Sequence, residues 1–539
     1  FTYKLYVSVM KFKIKCCLCF ILFISVFVVV MKIRYIGRSV NNQSTSTLKN
    51  FIFTVNKTID YLQEITLLLR YNDHSPKQVA TTINSFLSVF PSITIIIVSD
   101  TVIPKEIYHI VSNNSNIINI PLKLDLLNLI VDRSVAKYIK TKYVFIAPIG
   151  TISILEHEAL FLIKVLNKNE NTLIAVPTHT EVIKCLKLEL NLLQWIISYK
   201  ISNNKSECSS IKGQHGLLLH TKTLFKIGEP FLLPFPEAFY IQTTSLNLKV
   251  NLIRQIKLKF KKKINENSEQ LYKSQIQRQI MYKLLKIKKV HREDGTIEWF
   301  GCTRHTPRCF PSIINSIPEY LNQGRWTPPC CLRVLRETVH HVFKILKNWN
   351  VTFWLEGGSL LGAMRTKDII PWDYDVDIGI YLKDIDKCPW LHMVNLKTAK
   401  QITQKNEHAS VVDNEDFVWE KSNPEEGDFY RVQASVHNHL HVDIFPFYSK
   451  NGIMTKKTWF SDHPQDMEFP EHYLIPLTTI EFAGIEVPAP NNIKEFLELK
   501  FGKGCVENPQ YPNPKVYPFS DKAKLFNNET KMYGAPTIT

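Results

Sequence analysis

Asp373, Asp375 and Asp377 stand at alternate positions in the segment PWDYDVDIGIYL, among the apolar residues Ile369, Ile370, Val376, Ile378 and Ile380. An extended strand sends side chains i, i+2 and i+4 to one face. Three like charges on that face repel, while their apolar neighbours require the strand to be buried. A fold that keeps such a strand needs a counter-charge, and hard carboxylate oxygens select Mg2+ or Mn2+. Just upstream, VTFWLEGGSLLGAMR reads as a strand, a glycine turn and the start of a helix. Gly357 and Gly358 let backbone approach a phosphate closely, and helix N-terminal N–H groups favour anions. Downstream, LHVDIFPF places Asp443 on a further apolar strand.

At 539 residues the chain has room for roughly three to four domains. Apolar residues make up 45% of it, with 31 Phe, which excludes a disordered chain. The net charge of +17 points to an anionic partner. Its lysines are scattered except at 257–263 and 283–289, and no aromatic-rich basic array is present, so no nucleic acid is expected. The uncharged run CCLCFILFISVFVVVM, Cys16–Met31, has lysines before it and Lys32 and Arg34 after it. No small-residue cleavage site follows, so it reads as an uncleaved signal anchor. The expected layout is a cytoplasmic tail at 1–15, a transmembrane span at 16–31 and a lumenal linker at 32–54. Sequons at Asn42, Asn56, Asn113, Asn204, Asn350 and Asn528 fit a lumenal body.

ITLLLR and SITIIIVSD read as buried strands around a helix that starts at Ser75-Pro76. Strand, helix, strand predicts a parallel, Rossmann-like sheet resembling the start of a nucleotide-sugar glycosyltransferase domain. The strand Tyr143–Ala147 is followed by Pro148-Ile149-Gly150-Thr151, where such a domain would carry a metal-binding carboxylate. The region 55–285 therefore reads as a stem domain with a structural or acceptor-binding task. The catalytic unit is expected at 286–539.

Cys302, Cys309, Cys330 and Cys331 open that second half. Disulfides and a four-thiolate zinc site both fit their spacing. Cys185 and Cys208 are a candidate pair. His340 and His341 lie in a segment of helical periodicity, from Cys331 to Trp349, and read as packed or solvated rather than metal-binding.

Glycine turn, paired aspartates and a later strand aspartate form a nucleotidyltransferase arrangement. The run from Trp354 to Leu382 resembles the LicD/fukutin family, as do HPQDMEFPEHYLIPL and FLELKFGKGCVENPQYPNP. The resemblance implies an α/β protein: anchor, glycosyltransferase-type stem and nucleotidyltransferase-like catalytic domain with a zinc loop at 302–331. It implies Cys302, Cys309, Cys330 and Cys331 as ligands of a structural Zn2+, and Asp373, Asp375 and Asp377 as ligands of Mg2+. It implies donor contacts from Gly358, Arg365, Trp372, Asp373, Tyr374, Asp375, Val376 and Asp377, and from Gln465, Asp466 and Asn508. Asp443 would hold the metal or accept a proton. Bacterial members transfer phosphocholine. An animal branch moves ribitol 5-phosphate from CDP-ribitol onto the phosphorylated O-mannosyl glycan of α-dystroglycan in the Golgi, as a homo-oligomer through the stem. An inactive lumenal scaffold on the same fold is the alternative of another class, and the intact carboxylates weigh against it.

Overall fold

The computed structural model describes residues 63–509, except 73, 101, 123–134, 180–181, 261–267, 311–312, 315–316, 402–408, 423–426 and 461–462. The expected tail, anchor and linker lie outside the described residues. Among the described residues no helix is long and apolar enough to cross a membrane.

The N-terminal unit is built on an apolar strand, Ile65–Arg70, buried along its whole length. It lies parallel to Thr94–Ser99 on one side and Tyr143–Ile146 on the other. The intervening helix Pro76–Val89 starts in a capping box, in which the Gln78 N–H donates to the Ser75 hydroxyl and the Ser75 N–H donates to the Gln78 side chain. Val79, Ile83 and Phe86 form its buried stripe. The expectation of an all-parallel sheet needs correction. His215–His220 runs antiparallel between Tyr143–Ile146 and Thr172–Pro177. The chain reaches it through the hairpin Lys184–Asn191 and Ile196–Ile201, not through a crossover helix, so nothing forces a parallel return. A Cys185–Cys208 disulfide ties this hairpin to the sheet.

The turn after Tyr143–Ile146 carries no carboxylate and has no open space. Gly150 has a φ of +97°, and a Cβ there would stand 3.1 Å from the Phe260 ring. Its N–H donates to the Thr82 hydroxyl at 2.8 Å.

The stem also runs further than the residue 285 read from the sequence. Its second sheet takes in Lys289–His291, parallel to Ile196–Ile201, and Ile297–Trp299. The stretch KIKKVHRED hides a strand because Ile287 and Val290 are its only apolar residues, and both are fully buried. A polar knot fastens this extension. Glu237 accepts from Tyr199 at 2.9 Å, Tyr282 at 2.8 Å and Arg292 at 2.8 Å.

The second unit is a sheet in the order Phe353–Leu355, Asp375–Tyr381, His441–Lys450, Tyr430–Gln433, Val418–Lys421, Ser410–Val412. Helix Pro329–Asn348 packs Leu335, Val339, Val342, Phe343 and Leu346 into its core. His341 is packed, as expected, stacked on Phe417 at 3.8 Å and bonded to Asp413 at 2.6 Å. Trp354 lies across Gly379, where a Cβ would come within 2.4 Å of the indole.

Replacing Glu237 with Ala leaves Arg292 and two tyrosine hydroxyls without their common acceptor. The expected loss is about 3 kcal/mol of stability in the full chain, measured by denaturant unfolding.

Candidate active site

The Asp375–Tyr381 strand alternates as its sequence predicts: Val376 and Ile378 are fully buried, while Asp375 and Asp377 are half-buried on the other face. Its parallel neighbour places His441 beside Asp375 and Asp443 beside Asp377. Four polar side chains thus share one face of two adjacent strands. Ligand atoms of Asp375, His441 and Asp443 all lie within 4.8 Å of one another.

Asp373 precedes the strand, and helix Gly357–Thr366 seats both outer carboxylates. A Cβ on Gly358 would stand 3.2 Å from an Asp373 oxygen, and one on Gly357 3.4 Å from an Asp377 oxygen. Gly357 also has a φ of +50°. The Asp377 N–H donates to the Ser359 hydroxyl at 2.9 Å, which locks helix to strand. Burial pushes Asp373 up to about 6, and the charge of Asp377 adds to this. Burial and neighbouring carboxylates push Asp375 and Asp377 well above the usual range. The donor set, carboxylate oxygens with an imidazole and too little positive charge, fits a hard divalent cation.

His441 did not emerge from the sequence reading. Its Nδ1 lies 2.8 Å from the His439 carbonyl, which can only accept, so Nδ1 carries the hydrogen. Nε2 then presents its lone pair 3.7 Å from Asp443 and 4.0 Å from Asp375. Burial lowers its pKa, so the ring is neutral at pH 7. This is how a backbone acceptor orients a ligating histidine. The available signal was same-face spacing, two residues before Asp443. Asp443 is itself gripped by Arg431, directly across the ladder, at 2.8 and 3.2 Å.

The remaining expected residues are more dispersed. Arg365 sits in the last turn of its helix and donates to the Cys505 carbonyl, about 12 Å along the axis from Gly357. Asp466 pairs with the buried Lys456 at 2.7 Å. The Lys456 ammonium lies 4.2 Å from the Phe445 ring centre and 5.0 Å from that of Trp459. Gln465 is half-buried in the same turn as Asp466, and Asn508 is exposed in the turns after helix Ile493–Phe501. Beneath the glycine helix, Glu356 accepts from Trp354 at 3.1 Å and from the buried Lys500 at 2.5 Å.

The four cysteines converge, with all sulfurs within 4.8 Å. Cys309 and Cys331 form a disulfide, while Cys302 and Cys330 are free and buried. The segment between the cysteine pairs supports the aspartate loop. Thr327 donates to the Asp373 carbonyl at 2.6 Å, and Tyr320 donates to the Trp372 carbonyl at 3.1 Å. Phe310 meets Tyr374 edge-on at 5.7 Å.

Comparison with known proteins gives two family matches. Residues 350–492 match the LicD/FKTN/FKRP nucleotidyltransferase domain. Residues 54–293 match the fukutin-related protein stem domain. The chain is 38% identical to the ribitol 5-phosphate transferase FKRP of Mus musculus over 84% of this chain and 89% of the relative. It is 39% identical to that of Homo sapiens over the same shares. The ribitol-5-phosphate transferase FKTN of Homo sapiens is 23% identical over 34% of this chain and 36% of its own length.

Asp375→Asn and His441→Ala are each expected to weaken Mn2+ binding at least about tenfold by titration calorimetry, with the melting temperature of the metal-free protein retained or raised. The pH dependence has a fixed sign. The folded pKa of Asp373, about 6, lies above the ordinary ~3.9, so the native state holds this proton more tightly. The resulting stabilisation is complete below the unfolded value and lost as pH rises through about 6. Melts in chelator should therefore show wild type gaining stability from pH 7 to pH 5 relative to Asp373→Asn.

Proposed function

The chain belongs to the fukutin-related protein family, and on that premise we propose that it transfers ribitol 5-phosphate from CDP-ribitol to the phosphorylated O-mannosyl glycan of α-dystroglycan, releasing CMP. The observation that carries this reading is the cluster of Asp373, Asp375, Asp377, His441 and Asp443 at the start of a glycine-opened helix. Asp373, Asp375 and Asp377 would hold Mg2+ or Mn2+, with His441 beside them. When bound, the ion supplies the positive charge that a diphosphate needs. The Gly357 N–H is taken by the Glu356 carboxylate at 3.2 Å, so the Gly358 N–H at the same helix N-terminus is the one that would receive a phosphate oxygen. The attacking hydroxyl needs a proton acceptor, and with the His441 Nε2 lone pair turned to the ion, the Asp443 carboxylate is the group on this face that would supply one. Arg431 fixes the direction of Asp443. Attack at the phosphorus bearing ribitol breaks its bond to the bridging oxygen, and CMP leaves. Alignment and charge stabilisation carry most of the rate.

With the Cys309–Cys331 bond reduced, the all-sulfur cluster of Cys302, Cys309, Cys330 and Cys331 would suit a closed structural Zn2+ site. A Golgi location behind an anchor at 16–31 is supported by the Cys185–Cys208 disulfide and by exposed sequons at Asn113, Asn204 and Asn350. Self-association through the stem is supported by Tyr272, Ile276 and Ile280, an exposed apolar stripe at helical spacing on helix Ser268–Leu284.

Purified protein offered CDP-ribitol, CDP-glycerol and CDP-choline with the phosphorylated acceptor is expected to release CMP chiefly from CDP-ribitol. Asp377→Asn should reduce turnover by at least about 100-fold with the fold retained. Preference for CDP-choline would overturn the donor assignment. Elemental analysis should find about one zinc per chain. Full disulfide pairing of the four cysteines in unreduced peptide maps would replace that site with bridges.

A further inference from the structure

The Nε2 lone pair of His441 faces the carboxylates because Nδ1 is held from behind. The group that holds it is the His439 carbonyl, 2.8 Å away. That carbonyl belongs to the peptide unit between His439 and Leu440, a rigid plane whose opposite edge is the Leu440 N–H. Fixing the N–H therefore fixes the direction of the carbonyl and, through it, the imidazole. The Leu440 N–H donates to Oδ1 of Asn438 at 3.2 Å. Asn438 lies in the turn 434–440, between the strands Tyr430–Gln433 and His441–Lys450, and its side chain is fully buried.

Asn438 is in turn tied to the cysteine loop. Its Nδ2 donates at 2.8 Å to the carbonyl of Thr303, the residue after Cys302. The two partners fix how the amide faces, since a carbonyl can only accept and a backbone N–H can only donate. The same loop takes hold of the turn's backbone as well. Arg304 Nε donates to the Ala434 carbonyl at 3.0 Å, and the Ser435 hydroxyl donates to the Arg304 carbonyl. Ser435 Oγ also accepts from the Asn438 N–H at 3.0 Å, and the Ser435 N–H donates to the Asn438 carbonyl at 3.2 Å. The Asn438 side chain joins the loop directly to the peptide that orients His441. A leucine there would keep much of the packing and leave the Thr303 carbonyl and the Leu440 N–H without this partner.

We propose that Asn438 is a positioning residue of the metal face: its buried amide relays the seating of the cysteine loop through the 439–440 peptide to the imidazole of His441, and so sets the affinity of that face for a divalent cation. The inference rests on the metal reading of this face and not on turnover, so binding tests it. Mn2+ affinity is measured by titration calorimetry on the metal-free full chain, for wild type, Asn438→Leu, His441→Ala and the double variant. Outer-shell partners of a ligating histidine contribute about ten- to a hundredfold to affinity, so Asn438→Leu is expected to weaken Mn2+ binding about tenfold. Because Asn438 acts through His441, the same substitution made in His441→Ala protein should change affinity by less than about twofold. Equal weakening in both backgrounds is what a general loss of packing gives, and it overturns the proposal. Wild-type affinity in Asn438→Leu overturns it too. Where the leucine variant fails to fold, Asn438→Ser takes its place in the cycle. Its hydroxyl still offers the Leu440 N–H an acceptor, as in a serine turn, but is too short to reach Thr303. It is expected to bind Mn2+ more weakly than wild type, and again only while His441 is present; wild-type affinity, or the same loss without His441, rejects the relay. Wild type that binds no Mn2+ sinks the metal reading and the relay with it, whereas Mn2+ binding without coupling sinks the relay alone.

Discussion

Repulsion among carboxylates on one strand face is the constraint around which the catalytic unit is organised. Side-chain alternation places Asp375 and Asp377 together, and the parallel ladder adds Asp443 beside them. In water each would be ionised and separate. Here the apolar residues between them are fully buried and pin the strand in place. The surroundings relieve this charge piecemeal. Two glycines remove the side chains that would crowd Asp373 and Asp377, Arg431 forks onto Asp443, and the buried Lys456 places a positive charge near Asp377. A buried charge partnered this way stabilises little by itself, but losing one partner is severe. The cluster is therefore better understood as a concentration of only partly relieved negative charge than as a source of stability.

The cysteine loop matters because of what hangs from it. Cys302, Cys330 and Cys331 share a packed cluster with Phe310, Tyr320 and Leu440, flanked by Trp372 and Tyr374. Thr327 and Tyr320 hold the backbone just before the aspartate-bearing strand. Trp195 of the stem joins the same cluster, and its indole N–H donates to the Trp326 carbonyl at 2.8 Å. The buried Arg325 lies 4.1 Å over the Trp195 ring and donates to the Lys286 carbonyl at 2.8 Å. The loop is thus the joint between stem, catalytic sheet and aspartate loop, so a change in the stem's docking reaches the site through packed rings.

What could be read from the sequence followed from periodicity. Asp375, Asp377 and Asp443 were legible because a charge between apolar residues of a strand stands out at a period of two. The capping box at Ser75 and Gln78 was half legible, from Ser75 and Pro76. His441 was hidden because a histidine on the polar face of a strand looks like any solvated residue until its neighbour in the ladder is known. Arg431, Lys456 and Lys500 were out of reach for the same reason: their partners come from other elements, and pairing register is a tertiary property. The stem's end was misplaced because a lysine-rich strand gives almost no alternation. Its membership in the sheet is set by Ile287, Val290 and the Arg292–Glu237 pair.

The contact between Trp354 and Gly379 has a consequence for inherited change in such a chain. The indole fills the space above Gly379, and its N–H holds Glu356, which is also the partner of Lys500 and the residue from which the glycine helix departs. One added methyl at position 379 would displace the ring, then the glutamate, then the start of the glycine helix beside the aspartates. A lesion of that kind would leave every aspartate and every cysteine in place, and a survey of catalytic positions would pass it as harmless. The sites where variation is least tolerated in this fold therefore extend beyond its chemistry to the places where backbone and ring meet with no room between them.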